Sequence, residues 1–441
     1  MSPIPLGFLA LSGAGSASYW LALLTGTGNE FINKIAVNSS NQIFIAGSSD
    51  TSPAVGSDAF SAMFDTDGNL QFQKLLGGSG FEGASGVGVD SSGNSYFVGN
   101  QSTSGFGSYD ILLHKRNSAG VLQWQKGAGT SGSDLGFGIA VDSSNNVYAL
   151  GRSGYDSSPV FFPGAIVKYT SSGAFDFDRA LTTIASYDQT NVRDGVTNSS
   201  DDLFVIGDYN IDDGIGRQVL VAKYNDAGTL SWVRDIQTRS DADAISIDSS
   251  SNVYAVGQII NSAPNFDAML LKFNTSGTLQ WDVYATSASS NDRFKDVCTD
   301  ASGNSYVVGD TSSATQVAII AKFNSSSTVV WQRSLSTAYN VNGSGINFDD
   351  DGNLVITGEY RNASFNREIF VIKLPADGSL TGTYSLNSLD WVYAAGTLTF
   401  GTLSRSSSTP SLNSYGAILS TSTPTLTDST STLTDTKVDL I

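Results

Sequence analysis

A glycine-closed motif returns seven times in this chain, and no other feature limits the fold as much. VDSSGNSYFVGN, VDSSNNVYALGR, IDSSSNVYAVGQ and TDASGNSYVVGD are four of its copies. The closing glycines are Gly47, Gly99, Gly151, Gly207, Gly257, Gly309 and Gly358, 49 to 56 residues apart. Three residues before each stands Phe44, Tyr96, Tyr148, Phe204, Tyr254 or Tyr306, with Val355 in the last copy. Nine before stands Asn38, Asp90, Asp142, Asn198, Asp248, Asp300 or Asp349. A second landmark follows in each copy, as in LHKRNSAGVLQW and LLKFNTSGTLQW. Its lysine recurs as Lys115, Lys168, Lys223, Lys272, Lys322 and Lys373, with Met63 in the first copy. Its closing aromatic recurs as Phe72, Trp124, Phe177, Trp232, Trp281 and Trp331.

Each copy reads as four short strands, such as GIAVD, NVYALG, GAIVKY and TLSWVRD. They are rich in Val, Ile, Tyr and Phe and are bounded by turn residues. Clusters such as DSSGN and YNDAG make tight hairpins, because Asn, Asp and Gly tolerate left-handed backbone or bond their own main chain. No long 3.6-residue apolar period occurs, so helix is expected to be scarce. Four-stranded units of this length, repeated, describe a β-propeller. The expectation is an all-β, seven-bladed β-propeller over residues 19–384 with extended N- and C-terminal segments. One blade cannot bury both its faces, whereas a ring of seven can, which absorbs all 441 residues without several domains. Trp20 precedes Ala36 by the same interval as Trp124 precedes Ala140, so residues 19–24 are expected to supply the outer strand of the last blade. The stretch LDWVYAAG around Trp391 competes for that place.

The GNxYxxG and KYNxxGTLxW patterns resemble bacterial seven-bladed propeller repeats of the SBBP type, with an NHL-like strand order. The resemblance covers roughly residues 20 to 384. It implies a fold and little about function, since propellers host many activities.

Residues 1–18 (MSPIPLGFLALSGAGSAS) partly mimic a signal peptide, but no Lys or Arg precedes the apolar part. They are expected to be a retained docking segment. Residues 385–441 are Ser/Thr-rich, half Ser and Thr over the last forty, with TLTDSTSTLTD as a near-repeat. That composition suggests an extended segment, which neighbouring subunits are expected to hold. The PLGFLALSG opening and the TLTDSTSTLTD ending are similar to those of virion proteins from marine tailed phages. That likeness implies a structural protein of a phage particle.

The net charge of −18 argues against a nucleic-acid partner, which needs clustered Lys and Arg. No apolar run is long enough for a membrane span. Cys298 is the only cysteine, so no internal disulfide can form, and its strand position reads as core. His114 is the only histidine and reads as a strand-face residue rather than a catalyst. The DTDGN and DDDGN turns at Asp65 and Asp349 resemble the first half of a calcium loop. The twelfth position, however, holds Leu76 or Tyr360 rather than glutamate. Asp226 of NDAGTLSW falls two residues before Gly228, as in the Asp-box of sialidase propellers, but Trp232 is one place too far and the arginines are scattered. The lysine slot has two readings: an ion pair with the Asp slot, or a ring of lysines around an anion-binding channel. No motif marks a carboxylate pair for glycoside hydrolysis, although that chemistry needs only two acids about 5–10 Å apart. No catalytic, cofactor-binding or metal residues are assigned, and no cofactor is expected.

The copies disagree between the closing glycine and the third strand. Those loops carry Phe106, Tyr109, Tyr155, Phe161, Phe162, Tyr209, Phe266, Tyr360 and Phe365. Variable loops on a rigid scaffold are where binding usually resides. The same aromatics could equally cap blade edges. The sequence reading is therefore a non-enzymatic structural or binding protein of a phage virion. Its terminal segments would contact other virion proteins or copies of the chain, and its loops a host glycan or surface protein. The alternative is a secreted or cell-surface bacterial propeller that binds polysaccharide or protein. A propeller glycosidase or lyase stands third.

Overall fold

A computed structural model describes residues 19–440 except 51–55, 103–105, 155–161, 183–188, 212–215, 261–264, 288–289, 313–314 and short gaps at 404, 406, 409, 411–412, 417–418, 423–426 and 431–432. Among the described residues every regular element is a strand. The second copy shows the unit: Gly83–Val89, Ser95–Gln101, Asp110–Arg116 and Leu122–Gly129 form an antiparallel meander. Lys115 lies opposite Tyr96 on one side and Trp124 on the other. The landmarks of the repeat are thus cross-strand neighbours, the unit of sheet stabilisation. Six copies build this meander from consecutive strands. The last takes its fourth strand from the N-terminus: Tyr19–Thr25 pairs with Arg367–Leu374. Leu389–Ala395, with Trp391, pairs instead with Val329–Ser336 of the sixth unit. The strand Leu230–Ile247 is 18 residues long because it serves as both the outer strand of the fourth unit and the inner strand of the fifth.

The turn joining the first two strands is held by its Asp. Asp90 Oδ1 accepts from the backbone N–H groups of Ser92 and Asn94, both at 2.9 Å, and Oδ2 accepts from Tyr96 Oη at 2.9 Å. Asp142, Asp248 and Asp300 repeat the backbone bonds. Asp65 likewise accepts from Asp67 N, Asn69 N and Gln71 Nε2, so the calcium-like sequence is a closed Asx turn. The closing glycine has a different cause. Each inner strand carries a bulge, leaving Asn33, Ser85, Phe137, Arg193, Asp243, Lys295 and Ser344 unpaired. The bulged strand presses a carbonyl against its neighbour, and a Cβ on Gly99 would sit 1.7 Å from Gly83 O. All seven closing glycines meet such a carbonyl, at 1.7 to 2.1 Å. Only glycine permits that approach.

Apolar residues collect into seven clusters, each sandwiched between consecutive units. One joins the last unit to the first, through Trp20, Leu24 and Val371 on one side and Ile32, Ile45 and Phe60 on the other. The outer-strand tryptophans staple the seams. Trp124, Trp232, Trp281 and Trp331 each donate an indole N–H to a carbonyl in the next unit's hairpin. Trp20 does the same to Thr66 O at 3.2 Å, so the last seam is built like the others. The arrangement is propeller-like.

Residues 382–440 add the outermost strands. The hairpin Gly382–Leu386 and Leu389–Ala395 covers the sixth unit; Thr399–Gly401, Ser407–Ser408, Asn413–Gly416, Ser420–Ser422 and Thr427–Thr430 cover the fifth, fourth, third, second and first in turn. Thr434–Leu440 then pairs with Tyr19–Thr25 on the last. The segment expected to need neighbouring subunits is held by its own chain, and covers all seven outer edges. Leu412, Leu419, Leu426, Leu433 and Leu440 recur every seven residues in the sequence. Leu398, Leu403, Leu419, Leu433 and Leu440 each pack into a different seam cluster.

Candidate functional site at the loop face and channel mouth

Antiparallel alternation gives the structure two unlike faces. The turn joining the first two strands and the turn joining the last two fall at one end. The variable loops and the linkers between units fall at the other. On the turn face, Lys115, Lys168 and Lys373 pair with Asp90, Asp142 and Asp349 at 3.5, 3.3 and 2.7 Å. Lys115, Lys168, Lys272 and Lys322 lie over the aromatic of the repeat. The lysine slot is therefore structural, and these lysines do not line the channel.

The seven inner strands all contribute to one cavity of about 260 Å³, lined by residues such as Lys34, Val87, Ile139, Asp194, Ile245, Asp296 and Ile346. Lys34 of the first unit reaches across it to Asp194 of the fourth at 3.0 Å and Asp296 of the sixth at 2.8 Å. Asp296 Oδ2 also accepts from Ile346 N at 2.9 Å. Burial disfavours the lysine charge, but the two carboxylates outweigh it and hold Lys34 above its ordinary value. Burial pushes the Asp194 carboxyl up. Cys298 lines the same cavity, its thiol pushed up by burial and then by Asp296 and Asp300. His114 is buried and stacked on Phe97 at 5.0 Å, with its pKa lowered by burial, which leaves it no catalytic reach.

The loop-face mouth carries a charged network. Arg193 and Arg217 both contact Asp208, at 2.7 and 3.2 Å. Arg217 also meets Asp241 at 3.2 Å, Arg293 meets Asp243 at 2.5 Å, Lys295 pairs with Asp310, and Arg367 meets Glu359 at 2.7 Å. Asp208, Asp310 and Glu359 occupy the position just after the closing glycine, where Arg152 stands in the third unit. Arginines scattered in sequence thus converge at one mouth, which spacing along the chain could not reveal. The bulged residues Arg193, Asp243 and Lys295 are what deliver half of this network.

The aromatic residues expected on the loops divide. Phe106 and Phe365 are exposed, 40% and 65%. Tyr109 is half-buried and bridges to Ser133. Phe162 lies under the Arg152 guanidinium at 5.3 Å and Phe266 under Arg239 at the same distance. Tyr209 and Tyr360 depart from the expectation: both are buried. Tyr209 donates to Asp235 Oδ2 at 2.5 Å, and Tyr360 packs edge-on to Trp391. They brace their loops from inside. Tyr155 and Phe161 lie outside the described residues. Phe81, 55% exposed on the same face, was missed because it sits in a linker between units rather than in a loop after a closing glycine. Asp110 and Asp134, two acids flanking Gly129, are buried beneath the loops with raised pKa values.

No family model matches the chain, and no curated protein matches it. Among solved structures, a catalytically inactive virginiamycin B lyase from Staphylococcus aureus with quinupristin shares 13% identity over 80% of this chain and 99% of that one, with a TM-score of 0.49. A polysaccharide lyase, an ulvan lyase, shares 10% identity over 78% of this chain and 95% of its own, with a TM-score of 0.46. The tail fibre of the Staphylococcus aureus phage P68 shares 8% identity over 70% of this chain and 93% of its own, with a TM-score of 0.19. At these scores the function must be argued from the residues of this chain. Among the described residues no helix is long and apolar enough to cross a membrane.

Proposed function

We propose that the chain is a seven-bladed β-propeller, residues 19–384, girdled by residues 385–441 and preceded by a docking segment, residues 1–18. It acts as a non-enzymatic binding and structural component of a phage particle. The observation that carries the binding role is the asymmetry of its two faces. The turn face, uniform in its Asx turns, exposes Val121, Phe175 and Val330, whereas the loop face combines exposed Phe81, Phe106 and Phe365 with a mixed-charge mouth. Exposed aromatics over satisfied charges suit recognition of a surface. The acids that line the channel, Asp194 and Asp296, are both tied to Lys34, which supports binding over hydrolysis. The particle as the setting rests on the terminal sequences.

Binding of the purified protein to host cells tests the role. Replacing Phe81, Phe106 and Phe365 together by Ser should reduce it at least tenfold; equal binding would refute the loop-face assignment. Quantifying the protein in purified particles and in particle-free medium tests the setting, and its absence from particles would overturn it. One observation favours the second reading, a free-standing secreted or cell-surface propeller: the C-terminal segment is satisfied in cis and needs no neighbour.

A further inference from the structure

Most cations of the loop-face mouth have carboxylate partners among the described residues. Arg193, Arg217, Arg293, Lys295 and Arg367 each pair with an acid. Arg152 has none among the described residues, and its Nε is buried without a hydrogen-bond partner. It stands at the seam between the third and fourth units, opposite Leu135 in the sheet. Its guanidinium lies 5.3 Å from the Phe162 ring, and Phe162 is fixed by the bond from Thr190 N to its carbonyl at 2.8 Å. Across the seam, Arg193 lies over Phe137 at 4.6 Å. Asp208 is shared between Arg193 and Arg217, one oxygen to each. Burial, then the charges of Arg193 and Arg217, hold Arg152 below the ordinary arginine value. Asp208 and Asp134 offset part of that repulsion, but neither is within ion-pair distance of Arg152. Leaving a desolvated cation uncompensated is costly.

We propose that Arg152, with Phe162 as a stacking face, binds the monoanionic acid group of an acidic saccharide at this seam. The surrounding charges select the ligand. With Asp208 and Asp134 already near Arg152, a single negative charge suits the site, as a uronate carboxylate or a sulfate ester would supply, whereas a dianion overshoots in a chain of net charge −18. Asp208 already shows a carboxylate seated between two of these arginines. A planar guanidinium stacked on an aromatic is a pre-organised fork for an oxyanion. The partner class follows from what the seam lacks. Protein interfaces have an apolar core, yet the exposed large apolar side chains of the loop face, Phe81, Phe106 and Phe365, belong to other units.

The inference rests on the loop face being the binding face, and the test separates the two. Titration calorimetry of the full chain would use an oligoglucuronate, its carboxyl-reduced counterpart, a sulfated neutral oligosaccharide and a poly-glutamate peptide. Oligoglucuronate or the sulfated oligosaccharide should bind, identifying carboxylate or sulfate as the acid group, and the carboxyl-reduced form should not. Arg152→Gln should weaken that binding roughly tenfold or more, the loss of one charged hydrogen bond, without lowering the melting temperature. Phe162→Ala should weaken it less. Failure of both acidic saccharides to bind, or equal binding by Arg152→Gln, overturns the proposal. Arg152-dependent binding of poly-glutamate alone also overturns it, in favour of a protein partner. If saccharide binding fails while host-cell binding still depends on the three exposed phenylalanines, only this inference falls; if both fail, the loop-face reading falls with it.

Discussion

Replacing Lys34 by Met tests the centre of the ring most directly. The lysine joins three units across the channel, and its side chain and those of Asp194 and Asp296 are 15%, 13% and 9% exposed. Removing one member of a buried ion cluster while leaving its partners costs about 3–5 kcal/mol. For a chain of 441 residues melting as one unit, the unfolding entropy is about 0.9 kcal/mol per kelvin, so that loss lowers the melting temperature by about 3–5 °C. The variant also acquires a pH signature. Asp194 then loses Lys34 while Asp296 stays beside it, so its folded pKa rises further above its unfolded one. A raised carboxyl pKa favours the native state at low pH and penalises it as pH climbs through the folded value. Lys34→Met should therefore regain stability between pH 7 and pH 5, relative to wild type. The triple variant Lys34→Met, Asp194→Asn, Asp296→Asn should recover much of the loss at neutral pH, since removing a whole buried cluster is often neutral. Urea unfolding followed by tryptophan fluorescence at several pH values measures this. A loss below about 1 kcal/mol, or one that does not change with pH, would show that the cluster is not desolvated as argued.

Three further outcomes are expected. The Asp134 carboxyl is pushed up to about 6, by burial first and Asp110 last, against hydrogen bonds from Thr130 and Gly154. Its contribution disfavours folding as pH rises through that value, by up to about 3 kcal/mol, so Asp134→Asn should flatten the melting temperature against pH between 4 and 7. Trp20→Ala, at a fully buried residue that donates to Thr66 O across the last seam, should cost about 3–5 kcal/mol in chemical denaturation. Ending the chain at residue 412 uncovers the outer edges of four units, and light scattering should report association through the exposed edges.

Sequence legibility followed the repeat. The seven glycines, the aromatic slot and the Asx turns were readable because each is a local backbone requirement imposed identically in every unit. Trp20 as the outer strand of the last unit was readable because its spacing copies that of Trp124. The reason for the closing glycine was not, since it depends on a bulge in another strand. Nor was the lysine across the channel: Lys34 differs from its counterparts Gly86 and Gly138, and its partners are 160 and 262 residues away. The loop aromatics were only half legible. Exposure depends on loop path, which sent Phe365 outward and Tyr360, five residues earlier, into the core. The leucines of the C-terminal segment were present at a seven-residue interval, but Ser/Thr composition masked a spacing that only a ring of edges makes meaningful.

The girdle has a consequence for how the protein is made. It travels around the units in the reverse of their order of synthesis and ends with Leu440 opposite Tyr19, the first described residue. Residues 434–440 must leave the ribosome before the unit that joins them to residues 19–25 can complete its sheet. Each of the seven units can pair its inner strands as it emerges, but the final lock waits for this strand. A chain cut before residue 434 would thus yield units that pair yet stay unfastened where the last meets the first.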